Sequence, residues 1–320
     1  MIKYTLLFLL FIISSPKLFS QKTMEKVIEI PWNTEDGCKL ENLDFGTVGI
    51  SSYQIISNNE IAILCDYEGI MKVYNIDNQN LSYQFTKDPY ITWNRFLFSR
   101  NLEKFYIFDN YSKINCYTKD GLFINSFDIS KKIVFEGILL LKEINNNLYA
   151  ICNHMRNTYT LVENGIPLSS GEQETKKIDG VYDSKGNVIK ISKISKTEFT
   201  ITTSNNQSKT NLISLESDYL ENEIYCIGSV DDMILLSLSS FITFNPMKIR
   251  RQIVFFSKEL NEIIKRVDVP IPKEGVDNEI QLYDNAIYQM TSTPNNAILL
   301  KHEFSNDKSY NFQYPAEYMK

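Results

Sequence analysis

The chain has 320 residues, 43% of them hydrophobic and 22% charged, with 33 Lys and Arg against 39 Asp and Glu. A net charge of -6 and a pI near 5.2 exclude a non-specific nucleic-acid binder, which needs a basic face for its phosphate contacts. The apolar content excludes the disordered class, and two His leave little for zinc sites or for acid–base chemistry near neutral pH.

The first residues read as an export leader. Met1-Ile2-Lys3 is a positive start, Tyr4 to Ile13 is a largely apolar run, and Ser14, Ser15 and Pro16 break it before Ser20-Gln21. A spanning helix needs roughly 20 apolar residues, about twice this run. The expected organisation is a leader over 1–20 and a single domain over 21–320, in a periplasmic or extracellular chain with no membrane span. Without Lys3 and Lys17 the exported part carries 31 basic and 39 acidic side chains, a charge of -8. No Cys precedes Cys38, which disfavours a lipoprotein. The five cysteines (Cys38, Cys65, Cys116, Cys152 and Cys226) match no metal or redox spacing. They allow at most two disulfides, and the apolar runs around all but Cys38 favour buried core cysteines.

Beyond the leader the sequence is a string of short β-like runs with turns between them. Lys26 to Pro31 comes first. Ile61 to Cys65 is followed by Glu68-Gly69 and Met71 to Ile76; Phe105 to Phe108 by Ile114 to Tyr117, Asp120-Gly121 and Leu122 to Ile124. Leu148 to Cys152 is followed by Tyr159 to Val162 and Asn164-Gly165. Asp-Gly and Asn-Gly supply the positive φ that tight hairpins need. Ser257 to Val267 reads as part of a hairpin after Ile253 to Phe256 rather than as an amphipathic helix.

The runs repeat. Ile61, Phe105, Leu148, Phe199, Ile234 and Ile287 each open an apolar run, at steps of 44, 43, 51, 35 and 53. Repeats of ~40–50 residues with about four strands each predict an all-β, six-bladed β-propeller of four-stranded antiparallel blades. A sandwich shows the same short strands but has no reason to repeat one local pattern six times. The polar stretch from Ser169 to Asp183 is expected as a long loop that accounts for the 51-residue step. Lys26 to Pro31 is expected to close the ring beside Ala297 to Phe304, with Tyr310 to Tyr314 as the alternative closing strand.

Strand pairs such as Lys104-Phe-Tyr-Ile-Phe-Asp109 with Lys113-Ile-Asn-Cys-Tyr-Thr-Lys-Asp-Gly121 resemble those of six-bladed propellers of the NHL and TolB-like kind. The leader ending Leu18-Phe19-Ser20-Gln21 resembles leaders of exported Bacteroidota proteins. This resemblance implies a fold that serves binding modules, scaffolds, lactonases and other hydrolases, so it assigns no activity.

The chemistry-bearing motifs are few. No nucleophile elbow, metalloprotease helix, P-loop, dinucleotide fingerprint or calcium loop is present. Asp77-Asn78 and Asp109-Asn110 are the nearest oxygen-ligand pairs, at turns where such residues are expected anyway, so no cofactor is expected and calcium is the alternative weighed. Glu136, Glu143, Asp218, Glu221, Glu223 and Glu279 lie near blade starts and are the ligands that a divalent-metal hydrolase or lyase would use. Exposed loops on one face gather Tyr67, Tyr90, Trp93, Arg95, Tyr111, His154, Arg156, Arg250 and Arg251. Trp, Tyr and Arg anchor large partners, so this set is the expected binding site of a monomeric, non-catalytic binding or scaffolding module. Its partner is a protein or a glycan, of acidic or mixed charge.

Overall fold

All six repeat markers become buried positions on strands: Ile61, Phe105, Leu148, Phe199, Ile234 and Ile287 are each at most 2% exposed. The computed structural model describes residues 22–319 except 45, 66, 87–94, 109–112, 129–137, 145, 153–157, 169–172, 176–180, 183–187, 205–207, 216–217, 272, 305–309 and 311. Six antiparallel sheets follow one another in chain order and form a six-bladed β-propeller. Apart from one short 3-10 turn at Ala316–Tyr318, every regular element among the described residues is a strand.

Blade one pairs Ile50–Ser57, Glu60–Cys65, Ile70–Asn75 and Leu81–Thr86 in sequence order; blade two pairs Arg95–Ser99, Lys104–Phe108, Lys113–Thr118 and Phe123–Asp128. Blade three runs Ile138–Ile144, Asn147–Cys152 and Thr158–Glu163, and its fourth position is split between Ile166–Pro167 and Gln173–Thr175. Blade four is Val181–Tyr182, Val188–Lys193, Glu198–Ser204 and Ser208–Ser214. Blade five has the longest strands: Glu221–Val230, Met233–Phe244, Met247–Ser257 and Glu262–Val269. The stretch expected as a loop over 169–183 therefore contains two short strands, because its Gln173–Thr175 segment still finds the open edge of Thr158–Glu163.

Closure falls where the sequence places it. Glu25–Pro31 pairs antiparallel with Asn296–Glu303 and forms the outermost strand of blade six, after Ile280–Tyr283 and Ala286–Ser292. Ile28 and Ile30 from that strand are fully buried. The C-terminal segment contributes as well: Phe312–Gln313 pairs in parallel with Lys22–Thr23. Phe312 stacks on His302, with ring centroids 4.3 Å apart. His302 is a core residue, and burial pushes its imidazole down to about 4, so it is neutral at physiological pH.

The predicted turns carry the predicted backbone. Gly69, Gly121 and Gly165 have φ of 66°, 84° and 78°. Ser257 and Glu262 face each other across a hairpin turn, as expected. Cysteine behaves differently from expectation at one place: Cys65 is not a free core thiol but forms a disulfide with Cys38. Folding brings their Cα atoms to 5.8 Å although 27 positions separate them in the chain. Cys116 is buried and free, and the half-buried Cys226 is free as well. Among the described residues no helix is long and apolar enough to cross a membrane.

Candidate binding site at the axial mouth

Strands alternate in direction, so the innermost strands of all blades begin on one face. The second-to-third-strand turns and the blade connections open on that same face. Four of the sequence-predicted site residues are described, and all four lie there. Tyr67 sits in the turn after Glu60–Cys65, 46% exposed, with the Lys39 ammonium 4.4 Å from its ring centre. Arg95 is the exposed first residue of the innermost strand of blade two. Arg250 and Arg251 lie on the third strand of blade five rather than in a connection, because that hairpin continues to a tight turn at Asn245-Pro246. Arg250 is engaged by both carboxylate oxygens of Asp268, at 2.9 and 3.2 Å, and by the Tyr219 hydroxyl at 3.1 Å. Tyr90, Trp93, Tyr111, His154 and Arg156 lie outside the described residues, as does Asp109-Asn110.

Arg95 and Arg251 converge electrostatically on a residue that sequence reasoning missed, Asp277. Gly275, at φ +78°, and the buried Val276 turn the chain into the mouth just before it. Asn278 pins this turn: its side chain donates to the carbonyls of Lys273 and Val276 and accepts from the Lys273 amide. The Asp277 carboxylate accepts the backbone N–H of Glu279 at 3.0 Å. Burial, and next the negative charge of Glu279, push its carboxyl up to about 6, while Arg95 pulls the other way. Tyr53, on the innermost strand of blade one, donates to the carbonyls of Glu279 and Tyr288. No sequence signal marks Asp277, since Gly-Val-Asp-Asn reads as an ordinary turn.

Arg251 donates through Nη2 to the Asn278 carbonyl at 3.3 Å. Its Nη1 is buried and has no partner among the described residues, and the same holds for the Tyr314 hydroxyl, Gln289 Oε1 and Thr291 Oγ1. Gln289 and Thr291 share with Ile287 the side of their strand that faces blade five. Arg251 shares with Ile253 and Phe255 the side that faces blade six. The result is a polar seam between blades five and six that runs inward from the mouth. Burial lowers the Arg251 guanidinium from its ordinary value, and the acidic neighbours Tyr314, Tyr53 and Asp277 oppose that shift.

The mouth is held rigid by lacing between innermost strands. Gln281 of blade six donates to the Tyr53 carbonyl and accepts the Ile55 amide. Gln54 of blade one exchanges two bonds with the Phe98 backbone, at 2.8 and 3.2 Å. At the opposite end of the axis Arg100 donates to the Ile55 carbonyl at 2.7 Å and stacks on Tyr283.

The acids expected for a metal centre do not gather. Glu143 bonds Ser99 at the far end of the axis, Glu221 pairs with Lys193, and Glu223 accepts from Tyr225. Glu279 lies at the mouth, Asp218 is exposed in the turn before blade five, and Glu136 lies outside the described residues. The Asp77 and Asn78 amides both cap the Asn75 side chain, which is the local role a turn gives such residues. Among the described residues, the one metal-compatible grouping is Cys38, Cys65 and Glu68, and its two sulfurs are joined to each other.

No protein-family model and no curated protein matches the sequence. Several solved structures are similar to it at low identity. The chain is similar to the WD40 repeats of RRP9 (7% identity over 87% of this chain and 99% of that one, TM-score 0.47). It is similar to virginiamycin B lyase from Staphylococcus aureus (10% identity, 83% and 99%, TM-score 0.47) and to Kuenenia stuttgartiensis hydrazine synthase (7% identity, 75% and 73%, TM-score 0.46). Likeness of this degree assigns no activity or partner to this chain.

Proposed function

We propose that this chain is an exported, monomeric and non-catalytic binding module that takes its partner over the face carrying Arg95, Arg251 and Asp277. The leader-like start supports export. The observation that carries the binding site is the meeting at one mouth of the exposed Arg95 with the Arg251 guanidinium and the Asp277 carboxylate. Guanidinium groups at such a mouth favour a carboxylate or similar planar acceptor on a partner. Arg95 and the exposed ring of Tyr67 add a charged and an aromatic contact on the same face.

The test screens the purified protein against arrays of acidic peptides and of glycans. Arg95→Ala and Arg251→Lys should each weaken the strongest hit by about tenfold, the latter because Lys cannot reproduce the planar fork. Lys258→Ala, on the opposite face, should leave it unchanged. Binding that survives both mouth variants and is lost in the opposite-face variant would show the site to be on the wrong side.

One observation favours a catalytic reading instead, namely the Asp277 carboxyl held near neutrality at the mouth. Under that reading a small-molecule panel would yield turnover that Asp277→Asn abolishes.

A further inference from the structure

Among the described residues, blade four has no strand in the outermost position. The innermost strands of neighbouring blades touch one another around the axis, and in blade four the strand that touches Glu221–Val230 of blade five in this way is Val188–Lys193. Its partner Val181–Tyr182 also reaches Glu221–Val230 and is therefore an additional strand on the axial side. Counted from Val188–Lys193, blade four has only three strands, and Ser208–Ser214 ends the sheet in what is elsewhere the third position. The repeat spacing agrees independently. Phe199 to Ile234 is a step of 35 residues, against 44 and 43 for the regular blades, a shortfall that matches one strand with its turn.

Among the described residues, nothing fills the space where a fourth strand would lie. A cavity of 290 Å³ is lined by Leu212 and Ile213 on one side and by Phe256, Asn261, Ile263 and Arg266 of blade five on the other. Ile213 faces blade five and packs into the core it shares with Phe256, with Ile263 partly buried against it. Blade one shows what fills the equivalent space. The aromatic side chains at alternate positions of its fourth strand, Tyr83 and Phe85, pack against the core between blades one and two. The Phe85 ring lies 5.5 Å from Phe105 and 5.4 Å from Tyr117.

We propose that the outer edge of blade four is a strand-accepting groove, which binds an extended peptide segment of another protein by β-strand addition. The edge of Ser208–Ser214 supplies the backbone pairing that any sequence can use, and the cavity selects bulky apolar or aromatic side chains at alternate positions. Such a ligand is extended, free of proline at its centre, and bears an i, i+2 pair of large apolar residues. This groove lies at the rim of the disc and is independent of the mouth on its face.

The probe is a synthetic peptide reproducing residues 79–88, which contains the Tyr83 and Phe85 pair, added to the full chain. Binding is read as slowed amide hydrogen exchange at residues 208–214, expected to be ~10-fold at saturation. The same peptide with both aromatics replaced by Ser should lose this protection. A second protein carries residues 79–86 grafted after Ser214 through an Asn-Gly turn. It should protect the same amides internally and no longer take up the free peptide, while Arg95→Ala should leave peptide uptake intact. The proposal is overturned if the graft leaves residues 208–214 exchanging as in the parent chain, or if the peptide protects a different blade. It is equally overturned if those amides are already protected in a concentration-dependent dimer, in which case a second copy of this chain occupies the edge.

Discussion

Asp277→Asn should shift stability in favour of the variant as the pH rises from acid to alkaline. In the folded chain burial and Glu279 raise the Asp277 carboxyl from 3.8 to about 6, so folding favours its protonated form. A group raised in this way contributes stability that is complete below about 3.8 and lost as the pH rises through about 6. The size of the loss follows from 1.36 kcal/mol per tenfold change in proton affinity, which gives ~3 kcal/mol at pH 8. Asparagine cannot ionise and escapes that loss. Its amide can still accept the N–H bond of Glu279 through Oδ1, but its NH2 group needs a new partner, at a pH-independent cost of about 1–3 kcal/mol. The diagnostic quantity is therefore the difference between two pH values rather than either stability alone. Urea unfolding at pH 4 and pH 8, at constant ionic strength, should show the variant gaining ~2–3 kcal/mol on the parent between the two. An equal offset at both would mean that Asp277 is solvated like a surface carboxylate, and the electrostatic description of the mouth would fail with it.

Deleting residues 21–32 should unfold the protein at ambient temperature, since Met24, Ile28, Ile30 and Trp32 are all buried and represent roughly 6–12 kcal/mol of transfer free energy. A circular-dichroism melt with an unchanged midpoint would mean that the C-terminal segment alone closes the ring. Replacing Cys38 and Cys65 by Ser should cost roughly 3–4 kcal/mol in chemical denaturation, from the loop that the disulfide closes; a change below ~1 kcal/mol would show that the segment is ordered without it. Gly121→Ala puts a methyl into a φ of +84°, and its Cβ would lie 2.4 Å from the Phe85 ring. The expected loss is ~2–4 kcal/mol, of which about 1–2 kcal/mol is backbone strain, and Phe85→Ala should relieve only the remainder in a double-mutant cycle.

The sequence by itself determined the repeating elements. Alternating apolar runs, β-branched and aromatic content, and glycines at tight turns are local properties, and a propeller is built from local hairpins. That is why Ile61, Phe105 and Leu148 could be placed in the core by spacing alone, and why Lys26 to Pro31 could be assigned to closure: an apolar strand before the first full repeat has one vacant edge to join. Tertiary structure decided everything that depends on which blades face one another. The pairing of Cys38 with Cys65 is set by how the segment before blade one folds back, which no spacing rule encodes. Arg250 and Arg251 look alike in sequence. Successive residues of a strand point to opposite sides, so one reaches Asp268 and the other turns into the seam between blades five and six. Asp277 is an unremarkable turn residue until Tyr53 and Arg95, from two distant stretches of chain, join its neighbour Glu279 around it. Its burial, and hence its chemistry, exists only once the ring is closed, because desolvation is a property of the surroundings rather than of the residue.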